Sequence, residues 1–472
     1  MVLGLPNKES KQKRNIFSFK IFKSLNKKLK PSVKTQEKKS DSTDPKKKIV
    51  LIGSRGIPAK YGGFETFAEV LATRLSKKYE ITVTCEYEKP ESRLNEYNGV
   101  KLEYFPLKPP KNYFLRMVYE NLSDIYFLIK QTRRNDLIYF LGIEVGLFLF
   151  IPKLIKRNIR LMVNIDGVMW KRTKFNKLER WLLKVNHQFA TFFSDIILAD
   201  SEAMKNYVKN KFYQKTFYIP YGTDIPEKIH WDNDKLVSFK KEFKLNNSLK
   251  KINTDIVQVG TNIPTIEVED NIKNFPNINP GKYWLVVARL EPENSIHLII
   301  ESFAKTTTKY PLVVIGDFTS NQYEKEIQDI IENKNIFLLG SIYDSELLNM
   351  LRQNCFAYIH GHTVGGTNPS LLEAMSMETI IVAHKNEFNM EVCKEGAVYF
   401  SDCPDLMVKI KKIEKNPENY QKLKFKALDR IKENYLWDKI IFEYDMLFKN
   451  ENNYPEFFDK QNSKDITKIV GK

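Results

Sequence analysis

Residues 365–375 hold the groups best placed to do chemistry in this chain. They read Gly-Gly-Thr-Asn-Pro-Ser-Leu-Leu-Glu-Ala-Met and follow a short apolar run that predicts a buried strand. Pro369 suits the first position of a helix, and Thr367 or Asn368 could cap that helix. Glycines let a ligand approach the backbone closely, and a helix N-terminus favours phosphate. Glu373, about one turn into the helix, suits sugar hydroxyls better than phosphate.

A second glycine-containing loop lies near the start of the chain. Residues 53–65 read Gly-Ser-Arg-Gly-Ile-Pro-Ala-Lys-Tyr-Gly-Gly-Phe-Glu and lead from the first predicted strand into a helix from Phe64 to about Leu75. The spacing fits neither the dinucleotide fingerprint nor the Walker A loop. Gly62 and Gly63 could still bind a phosphate oxygen through backbone N–H groups, with a plain strand-to-helix connection as the alternative.

Two charged residues follow predicted strands, at the edge where parallel sheets bind ligands. Arg289 ends a strand at 284–288, and its permanently charged, forked guanidinium suits a diphosphate. Asp166 follows a strand at 161–165 and could bind or activate an acceptor hydroxyl. The alternatives are a surface arginine paired with Glu291 or Glu293 and an aspartate that caps the next turn.

Histidines and cysteines do not predict a metal site. His360 and His362 flank Gly361 at the end of a predicted strand, and they could contact a ligand or form a turn pair. Neither has an acidic or cysteine partner at ligand spacing. The chain has four scattered cysteines: Cys85, Cys355, Cys393 and Cys403. Their spacing predicts a reducing compartment rather than a disulfide framework.

Length and charge limit the function classes. The 472 residues suit two domains, and 42% apolar and 12% aromatic residues are ordinary for a globular protein. The net charge is +17, but residues 1–48 hold 15 Lys or Arg and 4 acidic residues, which is +11, and leave +6 for the rest. This mildly basic body does not predict nucleic-acid binding.

The basic leader has two interpretations that the sequence leaves open. Within residues 15–30, lysines fall on one helical face and apolar side chains lie largely opposite. Such a helix could lie on an anionic membrane surface, or the leader could be a disordered, solvated tail. There is no secretory signal pattern. The apolar run 137–155 contains charged residues and a proline, which predicts a strand and a helix rather than a membrane span.

Strands and helices alternate along the rest of the chain. Two series of short apolar runs, separated by amphipathic segments, predict mainly parallel sheets. The predicted fold class is α/β, with two Rossmann-like, doubly wound domains that face a cleft. We predict these boundaries: a disordered or membrane-surface leader at 1–47, an N-terminal acceptor domain at 48–226, a linker and insertion at 227–282, a C-terminal donor domain at 283–434, and a C-terminal helix with tail at 435–472.

The order of these motifs resembles one family. The glycine loop at 53–65 is followed by Ala-Asp-Ser-Glu-Ala at 199–203, Ile-Pro-Tyr-Gly-Thr-Asp at 219–224, Val-Ala-Arg-Leu-Glu-Pro-Glu at 287–293 and the segment 365–375. This pattern is similar to family 4 glycosyltransferases of the GT-B fold. The first loop and Asp-Gly-Val-Met-Trp-Lys-Arg at 166–172 resemble the capsule-type rhamnosyltransferase subgroup. That resemblance implies dTDP-rhamnose as donor and a lipid-linked saccharide as acceptor.

The resemblance also implies roles for single residues. Its catalytic candidates are Arg289, which would hold the donor pyrophosphate, and Asp166. The implied donor contacts are Gly62 and Gly63 for the pyrophosphate, Glu373 for the ribose, Ile342 and Tyr343 for the base, and Gly365, Gly366, Thr367 and Asn368 for donor sugar and phosphate. The acceptor-side candidates are Asp166, Trp170 and Glu65.

Two positions depart from the family pattern. Relatives often carry a glutamate at the position of Gly365, seven residues before the one that aligns with Glu373. They also often carry a lysine where this chain has Asn294. These departures change the expected sugar contact and the phosphate clamp, so we expect a different donor sugar rather than an inactive enzyme.

The resemblance implies sugar transfer with retention of configuration, catalysed by electrostatic stabilisation of the leaving pyrophosphate. It implies no metal, because arginine and helix amides take its place, and no cofactor, because a dTDP- or UDP-sugar is a co-substrate. The enzyme would be cytoplasmic and peripheral at the inner face of the cell membrane, without nucleic-acid partners. Two alternatives stay open: an inactive homologue that scaffolds polysaccharide assembly, and a sugar-nucleotide epimerase of the same fold.

Overall fold

The computed structural model describes residues 45–449, except 60–61, 166, 168–169, 171–174, 209–211, 213–214, 240–277 and 332–334. The chain divides into two compact units. The first extends through Ile165 and includes Leu182–Ile197, and the second comprises Asp166–Trp181 and the chain from Leu198. All but the last three residues of the predicted leader, and most of the predicted linker at 227–282, lie outside the described residues.

The strands follow the buried apolar runs of the sequence. Their bounds are β1 Lys48–Ile52, β2 Glu80–Cys85, β3 Glu96–Tyr97, β4 Val100–Tyr104, β5 Leu137–Leu141, β6 Arg160–Asn164, β7 Ile196–Ala199, β8 Thr216–Tyr218, β9 Trp284–Val287, β10 Leu312–Ile315, β11 Ile336–Leu338, β12 Ala357–His360, β13 Ile381–His384 and β14 Ala397–Phe400.

Helices separate most of the strands. They are α1 Gly63–Leu75, α2 Tyr113–Thr132, α3 Phe150–Ile155, α4 Lys177–Phe193, α5 Glu202–Lys205, α6 Ile296–Ala304, α7 Asn321–Ile331, α8 Ser345–Gln353, α9 Pro369–Ser376, α10 Glu387–Cys393, α11 Cys403–Lys415, α12 Gln421–Asn434 and α13 Trp437–Lys449. Residues 233–239 are also helical.

Two mainly parallel sheets organise these elements. One has the order β3-β4-β2-β1-β5-β6-β7-β8, and the other has the order β11-β10-β9-β12-β13-β14. β5 is buried at every position and pairs in parallel with β1 and β6. Continuous burial of this kind is typical of parallel strands that are covered on both faces. The predicted α/β class with parallel sheets is therefore confirmed.

The core of the second unit lies against the six-stranded sheet. Trp284 and Val286 of β9 pack with Ile299 and Ile300 of α6 and with Ile410 of α11, all at most 1% exposed. Burying each such aliphatic side chain contributes about 1.5–3 kcal/mol relative to leaving it exposed. This packing holds β9 and β12 side by side, so the loops that follow them emerge at one edge.

One strand pair was missed from the sequence. β3 and β4 form an antiparallel hairpin across Asn98 and Gly99, whose φ angles are 48° and 81°. An Asn-Gly pair with two positive φ angles is the preferred two-residue hairpin turn. The signal was present in the sequence, but the two-residue β3 is too short to show an apolar alternation.

The apolar run 137–155 folds as predicted from its charges and its proline. It forms β5, a short 3-10 turn at Gly146–Phe148 and α3. Within the described ranges, the helices are all too short or too polar to cross a bilayer.

Candidate functional site

The loop between β12 and α9 forms the centre of the candidate site. β12 is buried throughout, and α9 begins at Pro369 as predicted. Asn368 caps this helix, since its Oδ1 accepts a hydrogen bond from the backbone N of Ser370 at 3.0 Å. Thr367, the other capping candidate, instead donates its hydroxyl hydrogen bond to the backbone O of Asp200.

Two glycines let neighbouring side chains approach this loop. A Cβ atom on Gly366 would overlap the carboxylate of Asp200. Gly365 has a φ of 147°, and a Cβ atom there would lie 2.7 Å from Nε2 of His362. A larger residue at either position would displace the loop or the group that packs on it.

Asn294 joins the loops that follow β9 and β12. Its Nδ2 donates to the backbone O of Arg289 at 2.8 Å, and its Oδ1 lies 2.7 Å from Nδ1 of His362. Thr363 donates two hydrogen bonds, from its backbone N and its hydroxyl, to the backbone O of Glu293, both at 2.9 Å. The two loops therefore form one hydrogen-bonded assembly, of which Asn294 is a buried part.

Arg289 lies at the same sheet edge as this loop. β9 and β12 are parallel neighbours, with Leu285 opposite Tyr358, so both strands end on one side. Arg289 Nη2 is 3.0 Å from Glu291 Oε1; the arginine side chain is 44% exposed and the glutamate 7%. This is the ion pair that the alternative interpretation of the sequence predicted. It still leaves the half-exposed guanidinium accessible to an anionic ligand.

Glu373 is held by an arginine that sequence reasoning missed. Arg352 Nη2 lies 2.6 Å from Glu373 Oε2; the arginine is 5% exposed and the glutamate 35%. Nearby, the Tyr358 hydroxyl lies 3.0 Å from Ser370 Oγ. Arg352 is in the last turn of α8, and nothing in its local sequence indicates a pairing with α9.

His360 lies behind the loop rather than at the surface. Burial lowers the pKa of its imidazole well below the ordinary value, and the neighbouring His362 and His384 lower it further. The ring is therefore neutral near pH 7. Among the described residues, no group hydrogen-bonds its Nε2.

The predicted base contacts lie in the loop after β11, another parallel strand of this sheet. Ile342 is buried, whereas the ring of Tyr343 is 70% exposed. Asp317 fixes this loop, because its Oδ1 accepts from the backbone N of Ser341 at 3.1 Å. The exposed ring offers a face on which a planar base can stack.

The candidates of the first unit lie at the N-terminus of α1. Gly62 is the N-cap, with a φ of 99°, and no side chain caps the helix that starts at Gly63. The buried Glu65 accepts from the backbone N of Arg55 at 3.1 Å. Burial raises the pKa of the Glu65 carboxyl, and the N–H and charge of Arg55 lower it in part, while Glu86 raises it.

The remaining acceptor-side candidates are less defined. Asp166 lies outside the described residues. Trp170 is half-buried, and its ring meets that of Tyr207 edge to face at 6.5 Å between centroids. The structure thus assembles Arg289, Asn294, the 365–368 loop and Glu373 within the second unit. In the part of the chain that it describes, no His, Cys, Asp and Glu cluster could hold a metal ion.

Comparisons with known proteins bear on both halves of the chain. Residues 46–224 match the family model "Domain of unknown function (DUF1972)", and residues 268–430 match "Glycosyl transferases group 1". An uncharacterized glycosyltransferase of Methanocaldococcus jannaschii is 26% identical over 85% of this chain and 98% of its own length. A probable sucrose-phosphate synthase of Thermosipho melanesiensis is 26% identical over 38% of this chain. The match covers only 44% of that relative's own length.

A solved structure extends the likeness to the fold. Anabaena HepE in complex with UDP-glucose aligns with a TM-score of 0.61 and 17% identity, over 86% of this chain and all of HepE. The parallel sheets, this likeness and the match at 268–430 agree with one another. The chain carries a glycosyltransferase group 1 domain on a GT-B fold, and it is a glycosyltransferase.

Proposed function

We propose that this enzyme moves a sugar from a nucleotide diphosphate to a lipid-linked saccharide, with rhamnose from dTDP-rhamnose as the first candidate donor. The proposal rests on one observation, the hydrogen-bonded connection between the loops after β9 and β12. Through Asn294, it places the half-exposed Arg289 and the glycine loop at one edge of a parallel sheet. Such an edge is where open α/β sheets bind their ligands.

Glu373 suits the ribose of the nucleotide. A carboxylate accepts hydrogen bonds from two neighbouring hydroxyls, and the buried Arg352 fixes its orientation. The exposed ring of Tyr343 gives the base a stacking surface. HepE is described in complex with UDP and with UDP-glucose, which supports a nucleotide sugar here and keeps a UDP-sugar as the alternative donor.

The chemical step needs charge stabilisation at the leaving group. In the proposed transfer, the acceptor oxygen bonds to the anomeric carbon as the bond from that carbon to the diphosphate oxygen breaks. The acceptor proton passes to the departing phosphate, and attack on the same face retains the configuration. Arg289 stabilises the growing negative charge. In the first unit, the glycine-started N-terminus of α1 is by itself suited to an anion. Asp166 is proposed to bind the acceptor hydroxyl.

No step in this scheme uses a metal ion. The fixed charge of Arg289 and the backbone N–H groups take the role that a divalent cation has in other transferases. We therefore expect the transfer rate to be unchanged when a chelator is added to the purified enzyme.

We also propose that the enzyme acts in capsule or other surface polysaccharide synthesis and that its first unit rests on an anionic membrane. One face of α2 carries a stripe of side chains that are 39 to 53% exposed: Leu115, Val118, Leu122 and Ile129. Exposed basic residues lie near its two ends: Lys108, Lys111, Arg133 and Arg134. Apolar side chains flanked by lysine and arginine fit the interface of an anionic bilayer.

Vesicle sedimentation tests this membrane contact. The Leu115→Asp/Leu122→Asp double variant should lose at least tenfold in binding to vesicles of phosphatidylglycerol and phosphatidylcholine. Val408→Asp, which changes an apolar side chain 48% exposed on α11, is the matched control and should bind like the wild type. Equal binding of the double variant would show that α2 is not the contact.

A transfer assay tests the enzymatic proposal. Purified protein is incubated with dTDP-rhamnose or UDP-glucose and a glucosyl-lipid acceptor, and dTDP and UDP are screened by thermal shift. Arg289→Ala should lower kcat about 100-fold or more. Lys426→Ala is the control, since that exposed basic residue of the second unit also pairs with a glutamate, Glu395. If neither nucleotide stabilises the protein and no sugar is transferred, the scaffold alternative is favoured.

A further inference from the structure

The turn that follows β9 holds both the main chain and the side chain of Arg289. The backbone O of Arg289 accepts hydrogen bonds from the backbone N of Glu291 at 3.0 Å and from Nδ2 of Asn294 at 2.8 Å. Its guanidinium pairs with the Glu291 carboxylate, with Nη2 at 3.0 Å from Oε1. We propose that Glu291 is a positioning residue, which holds the Arg289 guanidinium in the orientation that the leaving diphosphate needs. This inference rests on the proposed function.

The backbone on either side of Glu291 is anchored. Leu290 is 1% exposed, and its backbone N donates to the backbone O of Asp317 at 2.9 Å. The backbone O of Glu291 accepts from the backbone N of Asn294 at 3.0 Å, across the short 3-10 turn Pro292–Asn294. The Glu291 side chain therefore extends from a segment that is bound both to the loop after β10 and to the turn that follows.

Burial keeps the Glu291 carboxylate in place. Its side chain is 7% exposed, whereas that of Arg289 is 44% exposed. A buried carboxylate that lost its arginine would keep its desolvation penalty without the attraction that offsets it. Among the described residues, no other acidic side chain pairs with Arg289. An anionic ligand therefore binds the exposed part of the guanidinium and leaves the ion pair intact.

An oriented guanidinium matters more for the chemical step than for binding. An arginine side chain has many rotamers, and its planar fork must be aligned before it can bind a diphosphate through two N–H groups. A charged group stabilises a leaving group best when it is already oriented. The negative charge of Glu291 also repels the diphosphate, which opposes the gain in binding. We therefore expect Glu291 to affect kcat more than nucleotide affinity.

Transfer kinetics and nucleotide binding together test this expectation. Glu291→Ala should lower kcat at least tenfold with the donor that the wild type uses, dTDP-rhamnose or UDP-glucose, and a glucosyl-lipid acceptor. The Kd of this variant for the free nucleotide, dTDP or UDP, should stay within threefold of the wild-type value. Glu291→Gln, which keeps an acceptor oxygen, should recover part of the loss in kcat. Glu301→Ala is the control and should keep the wild-type kcat, because it removes a carboxylate of the same unit that pairs with Lys305.

A double-mutant cycle shows whether Glu291 acts through Arg289. If it does, Arg289→Ala/Glu291→Ala should have the kcat of Arg289→Ala alone, within twofold, because the positioned group is already absent. A separate structural role would lower kcat by the same factor in both backgrounds. Arg289→Ala also leaves the buried carboxylate unpaired, so its Tm should lie below that of the double variant.

The outcomes separate the positioning role from the proposed function. A wild type that binds neither nucleotide and transfers neither sugar contradicts the proposed function, and the positioning role falls with it. An active wild type whose Glu291→Ala variant keeps kcat within twofold overturns the positioning role alone. A tenfold loss of nucleotide affinity in that variant overturns it too, as does an equal loss of kcat with and without Arg289, because Glu291 would then have a structural role.

Discussion

The loops at 53–62 and 361–368 each contain three glycines, but they differ in how the helix that follows begins. Each leads from a buried strand to a helix through glycines. The first ends at Gly62, where no side chain caps the helix. The second ends at Asn368, which caps its helix, and is tied to neighbouring loops by hydrogen bonds from Asn294 and Thr363.

The two loops are therefore suited to different kinds of ligand contact. Uncapped N–H groups at a helix start are available to an anion that binds and leaves. A capped and braced loop keeps its shape, which selection between sugars requires. The two loops therefore differ in rigidity and in the availability of backbone N–H groups, and the following changes test that difference.

The largest expected effect is at Gly366. An alanine there would place its methyl group on the Asp200 carboxylate, and Thr367 is already bound to the backbone O of the same residue. We expect a loss of about 2–3 kcal/mol in the free energy of unfolding, measured by urea denaturation. Gly281→Ala, where no atom lies within 4 Å of the new Cβ, is the control. Gly281 has a φ of 72° whereas Gly366 has no positive φ, so Gly281→Ala measures the cost of backbone strain alone. A loss at Gly366 no larger than that at Gly281 would contradict the close approach.

Gly62→Ala should cost less. Its φ of 99° strains any L residue, but the nearest atom to the new Cβ is the far end of the flexible Glu65 side chain. We expect a loss of about 1–2 kcal/mol, again by urea denaturation. The Gly62→Ala/Glu65→Ala double variant should recover only the part of this loss that comes from the contact with the Glu65 side chain. A loss as large as that of Gly366→Ala would show that the first loop is as rigidly packed as the second.

Asn368→Ala removes the cap that distinguishes the second loop. Losing the hydrogen bond to Ser370 N should lower the free energy of unfolding by about 1 kcal/mol. Asn368→Asp keeps an acceptor oxygen and is the matched control. If alanine and aspartate gave the same Tm, the cap would not be what holds this loop.

The smallest effect is expected at Glu65. Because burial raises its pKa, the stabilisation from its protonated form is complete at low pH and is lost as pH rises through the raised pKa. Glu65→Gln stays neutral, so the Tm of this variant should rise relative to that of the wild type as the pH increases from 4 to 8. A Tm difference that is constant with pH would mean that the carboxyl is not desolvated in solution.

Local sequence signals were enough to predict most of the framework. Four features depend on neighbouring residues: the strand runs, the helix start at Pro369, a cap at Thr367 or Asn368, and the position of Arg289 after β9. Periodicity, capping and proline preference act over a few positions, so they can be read from the sequence alone. The β3 hairpin was signalled by Asn98-Gly99, although the prediction omitted it.

Only the tertiary structure decided which groups share a site. The pairs are Asn294 with His362, 68 positions apart, Thr367 with Asp200, 167 positions apart, and Arg352 with Glu373 on adjacent helices. No local pattern encodes such contacts, because the packing of whole strands and helices sets them. The resemblance marked Gly365 and Asn294 as departures, and the fold placed Asn294 Oδ1 2.7 Å from His362 Nδ1 and left no room for a Cβ atom on Gly365 beside the same ring.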